Sequence, residues 1–479
     1  MFAVPTARGG YAPRRGRGGW TKKSFAKPKR EYVKPDTKAF PLGDLLKAFD
    51  LFDPTESTPK TTKPPISNVQ YIASYNWVND DTCTILVPGK PPQWTPPREA
   101  QRLKEDSGQY YRDPNAANYP KFPIAPVVQA VLSNRPGFPT DSVDVLACGS
   151  TMGNLLRFVR GQDKPFRFAV ETIGNTVFFI RKENYPKEII PDVRGFGHSF
   201  PEAYTTWEKE VKGSDTHQRI VQYEFGGLTC LVRFECDGYI KENPSPDKST
   251  AHRSARSDGP KSDGADLLKA FGQATVTQPS FVPVLSGKTV SIKRGGDEIA
   301  QACIFDLKTR SGKYKTDIDM SDIYPQLWVK QIPNFIVAYH DGAGLFQKVE
   351  VKDVRDDVVQ WEKDNLDAIG RLNALLGKII SFARQDGGLL EVYFPGSGQL
   401  EIRRQHGNGQ PALPDDLRDS WADIAHEDSY FSDSDGGGYT LGGHGDSGEH
   451  LWGADSDEEE PDYTACSAED CGYCGKCTY

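Results

Sequence analysis

The chain has 479 residues, 37% hydrophobic and 26% charged, with 46 Gly, 35 Pro and a net charge of -8. That apolar share is low for a chain packed throughout, so a globular body with disordered flanks is expected. No run of about 18 uncharged apolar residues is present, which argues against a transmembrane helix. The first 30 residues lack a signal-peptide core, and nine Cys are too few for a disulfide scaffold. The expectation is an intracellular protein, nuclear or cytoplasmic, with no membrane partner.

The charge is uneven along the chain. Residues 1–30 hold nine basic and no acidic residues, and residues 411–479 carry a net charge of -16. The middle is left near neutral, at -1. A body between a basic arm and an acidic tail follows. The boundaries read 1–66 for a basic, Pro- and Lys-rich disordered arm and 67–405 for the body. Residues 406–479 form an acidic, Gly-rich disordered tail. In the arm Arg8, Arg14, Arg15 and Arg17 stand among glycines with Tyr11 and Trp20 interleaved. Flexible Arg and aromatic side chains of this kind contact phosphates and stack on bases, which suits RNA; a solubilising or targeting tail is the other reading.

Residues 42–52 have the pattern of one short amphipathic helix. The hexamer Asp-Leu-Leu-Lys-Ala-Phe occurs at 44–49 and again at 266–271, too little for a repeat architecture. Residues 68–88 alternate and read as strands. A helix is expected around 154–160, strands at 166–173 and 176–180, and a helix over 202–212. Two strands within 219–241 turn at Gly226-Gly227. Residues 242–285, rich in Ser, Pro, Asp and Lys, read as a flexible insertion. Strands follow at 287–293 and 300–308, then a helix from Ser321 towards Gln331 and a buried strand over 335–339. A strand at 345–350, one long helix over 355–384 and a hairpin over 388–404 complete the body. The fold class is therefore α/β: a mixed sheet flanked by helices in one large domain with disordered N- and C-terminal tails.

The strand carrying Glu235-Cys236-Asp237 places both carboxylates on one face, because side chains repeat every two residues. Two carboxylates so close stay charged only beside a cation, and a divalent metal is the obvious one. Asp306-Leu307-Lys308 repeats the device on another strand. Side by side, the two strands would gather three carboxylates and one ammonium. Hard oxygen ligands for Mg²⁺ or Mn²⁺ beside a Lys suit phosphodiester hydrolysis. The bland alternative is an Asp306–Lys308 surface ion pair and a wet sheet face at Glu235 and Asp237.

This layout resembles the PD-(D/E)XK nuclease superfamily, and within it the DXO-type 5′-end RNA decapping nucleases, in a divergent fungal-type branch. The match continues through Gln326-Leu327-Trp328-Val329-Lys330-Gln331-Ile332-Pro333 into 335–342. The resemblance implies metal binding by Glu202, Glu235, Asp237 and Asp306, with Glu208 as a rival for Glu202. It implies that Lys308 assists the attacking water and that Gln326 positions water or phosphate. The chain departs from the family pattern in having Asp at 306, Gly149 where the family has an RNA-contacting Arg, and His340 for the Arg of a Gly-Phe-Arg strand. Arg157 or Arg160 is a candidate substitute.

Two further motifs stand apart. Cys466, Cys471, Cys474 and Cys477 have the number and ligand type of a structural Zn²⁺ site, while their spacing also occurs at iron–sulfur centres and fits reduced surface thiols. Asp415-Asp416-Leu417-Arg418-Asp419 matches one half of the prenyl diphosphate synthase pair, which requires two such motifs on an all-α fold. Three functions are thus expected in order: a divalent-metal-dependent RNA 5′-end hydrolase or exonuclease; a weakened nuclease fold that binds RNA or a protein; and, least, a prenyl synthase. RNA 5′ ends are the expected partner, with a protein partner through the tails as a further one. The acidic tail is a candidate autoinhibitor of the basic arm.

Overall fold

The computed structural model describes residues 34–50, 66–79, 82–190, 193–241, 290–312 and 318–423. Two sheets form the body. The larger runs, edge to edge, β1 (Leu45–Phe49), β17 (Leu400–Arg404), β16 (Leu390–Phe394), β6 (Phe166–Ile173), β7 (Thr176–Arg181), β5 (Val145–Cys148), β10 (Leu228–Glu235), β9 (Ser214–Phe225), β2 (Ile66–Val78), β3 (Thr84–Pro88) and β12 (Ser291–Gly295). The smaller runs β15 (Phe346–Asp353), β14 (Asn334–His340), β13 (Ile304–Ser311), β11 (Gly238–Tyr239), β4 (Gln93–Trp94) and β8 (Thr205–Thr206).

Eight α-helices lie among the described residues: α1 (Pro114–Asn118), α2 (Ala125–Asn134), α3 (Gly149–Val159), α4 (Ser199–Tyr204), α5 (Tyr324–Lys330), α6 (Arg355–Asp364), α7 (Leu366–Asp386) and α8 (Asp415–Asp423). No helix there is long and apolar enough to cross a membrane.

Strand β10 shows how the sequence builds the centre. It pairs parallel with β5 and antiparallel with β9, so both its edges are filled. Cys230, Val232 and Phe234 enter the core under α3, α5 and α7, while Leu231 enters the opposite core with α2 and α8. That is the period of two expected of a strand buried on both faces. Gly226 and Gly227 take φ of 58° and 90°, which a tight hairpin between β9 and β10 demands and a Cβ would resist. A third core joins α4 to β13, β14 and β15.

Several expected elements differ. Residues 42–52 do not form a helix: Leu45–Phe49 is β1, an edge strand antiparallel to β17, with Leu46 and Phe49 packed on the core. Tertiary pairing overrides a weak local helix pattern here. The arm also ends earlier than residue 66, because Arg167 holds the carbonyl of Phe40 at 2.7 Å and Arg403 that of Gly43 at 2.8 Å. At the other end the expected tail begins with structure. Leu413 and Trp421 are buried, and Trp421 donates its indole N–H to Thr176 at 3.0 Å. The helix expected over 355–384 breaks at Asn365, whose amide caps the Trp361 carbonyl at 2.8 Å. That over 202–212 is α4 followed by a single 3₁₀ turn. The expected insertion, 242–285, lies outside the described residues.

Candidate functional site

The chain leaves the larger sheet at Glu235 and joins the smaller one at Gly238. Cys236 first donates its N–H to the His217 carbonyl at 2.9 Å. Gly238 and Tyr239 then pair with Phe305 and Ile304 of β13. Gly238 is needed for that approach: a Cβ would sit 2.4 Å from the Phe305 ring and 2.7 Å from the Pro92 carbonyl oxygen. Strand β11 ends after two residues, and the next β13 amide is taken by a side chain. Asp237 Oδ2 accepts the N–H of Leu307 at 2.7 Å. The two expected motifs, Glu235-Cys236-Asp237 and Asp306-Leu307-Lys308, therefore do meet.

Asp306 is 4% exposed. Its Oδ1 accepts from Lys308 Nζ at 2.6 Å and its Oδ2 from Lys330 Nζ at 2.8 Å. Burial by itself would raise the Asp306 carboxyl, but the two ammoniums outweigh it and hold it below the usual carboxylate range. The same pairing holds both lysines charged. Burial would lower them, and Asp306 first, then Asp237, raises Lys308 above its ordinary value. For Lys330 the raising charges are Asp306, Asp237 and Glu235. Removing one partner of such a buried pair costs about 3–5 kcal/mol, because the other charge is stranded.

Lys330 is the residue that sequence reasoning missed. It is the last residue of α5, and nothing in the pattern along that helix marks its contact with Asp306. Its carbonyl and that of Gln331 are held by Gln301 Nε2, at 3.4 and 2.8 Å. The fully buried Arg219 in turn donates to Gln301 Oε1 at 2.7 Å. Gln331 ends the helix with a left-handed φ of 54°, uncommon for a residue with a side chain.

Gln326, on the same helix, faces residues of α3. It lines a cavity of about 20 Å³ with Arg157, Arg160, Gln162 and Asp322, between α3 and α5. Its amide donates to the Asp322 carbonyl at 3.3 Å. The structure thus brings Gln326 to Arg157 and Arg160, the two candidate substitutes for the Arg missing at Gly149. Glu202 is exposed on α4. Its rival Glu208 touches β11 instead: it accepts from Lys90 Nζ at 2.7 Å and from the Tyr239 hydroxyl. Those two bonds, Lys90 first, hold its carboxyl low. His340 is buried against Phe196, with ring centroids 4.7 Å apart, and accepts the Gly342 N–H at 3.1 Å.

Among the described residues no group of three or more His, Cys, Asp or Glu side chains is placed to hold a metal ion. Both Asp306 oxygens are engaged by ammoniums, and Asp237 spends one oxygen on a backbone amide. As arranged, the centre does not fit the divalent ion that the resemblance implied. Cys466, Cys471, Cys474, Cys477, Arg8, Arg14, Arg15 and Arg17 lie outside the described residues. The Asp-Asp-x-x-Asp motif is on α8, where its three Asp are exposed and Arg418 pairs with Glu171. A body of two sheets is not the all-α fold that prenyl transfer needs.

Residues 55–419 match the model of a family described as "Domain of unknown function (DUF8563)". The chain belongs to this DUF8563 family. No curated protein matches it in sequence. Among solved structures it is similar to Schizosaccharomyces pombe Rai1, with 12% identity, a TM-score of 0.45, and 74% of this chain and 98% of that one covered. Candida albicans Rai1 in complex with pU5-Mn2+ matches at 10% identity and a TM-score of 0.47, covering 78% and 99%. Kluyveromyces lactis Dxo1 in complex with manganese matches at 8% and 0.38, covering 79% and 98%. The likeness is one of fold alone.

Proposed function

We propose that this DUF8563 protein binds the 5′ ends of RNA on a nuclease-type core and holds them without hydrolysing them. The observation that carries the reading is the meeting of Asp237 with β13, which assembles the two nuclease-type motifs, while both oxygens of Asp306 stay bonded to Lys308 and Lys330. The motifs support descent from an RNA 5′-end hydrolase. The closed ion pairs support loss of the metal step. Arg157 and Arg160 beside Gln326 offer cationic contacts to a terminal phosphate. Arg8, Arg14, Arg15 and Arg17 add contacts indifferent to sequence.

A second reading, hydrolysis with Mg²⁺ or Mn²⁺, is favoured by one feature: Lys308 stands 2.6 Å from Asp306, as a water-orienting Lys would. One experiment separates the two. RNAs bearing a 5′-triphosphate, a 5′-monophosphate or a cap are incubated with wild type and Asp306→Ala, in Mn²⁺ and in EDTA. Intact RNA bound equally in EDTA, with a salt slope that falls when residues 1–30 are deleted, is the expected result. Cleavage in Mn²⁺ that Asp306→Ala abolishes would establish the hydrolase instead.

A further inference from the structure

We infer that Lys330 is the resident cation of the carboxylate centre, a tethered ammonium standing where a divalent ion would otherwise bind Asp306. The inference deepens the binding reading above and rests on the same centre. Asp237 and Asp306 meet on β13, Glu235 acts on Lys330 from the end of β10, and Lys308 supplies one positive charge. Taking the Asp306 carboxylate out of water is costly, and a second ammonium on its other oxygen offsets that cost. Lys330 supplies it at 2.8 Å from Asp306 Oδ2, with 5% of its surface exposed.

This lysine is not a surface side chain folded inward by chance. Its helix is anchored at two points. Trp328 is buried and donates to Glu362 at 2.7 Å. Gln301 holds the last two carbonyls, and Arg219 holds Gln301. The ammonium is therefore delivered to Asp306 at a high effective concentration, as any linked ligand is. A divalent ion arriving from solvent must displace it, and while it stays, two ammoniums repel the ion at short range. Without the Lys330 side chain, the stranded carboxylates offer hard oxygen ligands that waters can complete.

The test needs no RNA, so it fails or succeeds apart from the binding reading. Full-length wild type, Asp306→Ala, Lys330→Ala and Lys330→Ala/Asp306→Ala are titrated with Mn²⁺, reading bound Mn²⁺ by electron paramagnetic resonance and the thermal midpoint. Lys330→Ala should unfold at a lower temperature than wild type. It should bind Mn²⁺ at least about tenfold more tightly and recover part of its midpoint. The double variant should lose both the binding and the recovery. Wild-type binding of Mn²⁺ that depends on Asp306, or a Lys330→Ala protein indifferent to Mn²⁺, would overturn the inference. If Lys330→Ala does not fold, Lys330→Met takes its place, and Lys330→Arg, which keeps the charge, should fold and ignore Mn²⁺. A Lys330→Arg protein that binds Mn²⁺ as Lys330→Met does would equally overturn it. Loss of RNA binding by wild type in EDTA would strike only the binding reading.

Discussion

Asp237 reaches from the end of one sheet to the backbone of the other, its Oδ2 accepting the N–H of Leu307 at 2.7 Å. Strand β11 is too short to cover that amide, so a side chain completes the edge. Asp237→Ala leaves a buried N–H without its acceptor, at a cost of about 1–3 kcal/mol. The urea midpoint should fall accordingly. An unchanged midpoint would show that water or a neighbour replaces the carboxylate without loss.

Gly238 sets how closely β11 lies on β13. A methyl group there meets the Phe305 ring at 2.4 Å and the Pro92 carbonyl oxygen at 2.7 Å, and the backbone oxygen cannot rotate away. Gly238→Ala should cost about 1–3 kcal/mol by overpacking and disturb the Asp237 contact with it. Near-ultraviolet circular dichroism and a denaturant titration would report both effects. A wild-type spectrum and midpoint would mean that the strands part without penalty.

Trp421 fastens α8 to the larger sheet. Its ring lies 5.6 Å from that of Phe178, and its carbonyl accepts from the Thr140 hydroxyl at 2.8 Å. Trp421→Ala should cost about 3–5 kcal/mol, as buried aromatics do. Truncation after residue 410 should destabilise the body likewise, whereas truncation after residue 423 should leave its thermal midpoint near wild type. The second truncation is therefore the sound test of whether the acidic tail restrains RNA binding. Equal midpoints for the two truncations would remove α8 from the folded core.

His217 links stability to pH. It is 1% exposed, and its Nδ1 is 2.6 Å from Asn76 Oδ1. Burial first, and the nearby Arg219 charge second, push its pKa well below 6.5. The folded protein therefore keeps it neutral while the unfolded chain takes up a proton below pH ~6.5. Unfolding is then favoured as pH falls, by about 1.4 kcal/mol for each pH unit below that value. Denaturant midpoints at pH 7.5, 6 and 5 should trace this slope, and His217→Gln should flatten it. An identical slope in the variant would assign it to other groups.

Local patterns were legible where the physics is local. The hairpin at Gly226-Gly227 follows from two residues able to take positive φ, and the burial of Cys230, Leu231, Val232 and Phe234 follows from their apolar side chains on both faces of β10. The two carboxylate-bearing strands were expected to pair side by side; they lie in different sheets, and the Asp237 side chain makes the contact between them. The helix expected over 42–52 failed because five residues of ambiguous pattern were captured by the open edge of β17. Gln326, which the resemblance gave the task of positioning water or phosphate, lines a cavity with Arg157 and Arg160. Lys330, four residues on, is the group that reaches Asp306.

By itself the amino-acid sequence determined the charge layout, the strand periodicities and the identity of the acidic and lysine residues on β10 and β13, since each of these is a property of neighbours along the chain. Only the tertiary structure decided which cation answers those acids. The ammonium of Lys330 reaches Asp306 across 24 positions of sequence through the docking of α5, whose last turn Gln301 and Arg219 hold in place. Such a contact is set by how a helix packs on a sheet, and no spacing within either element encodes it.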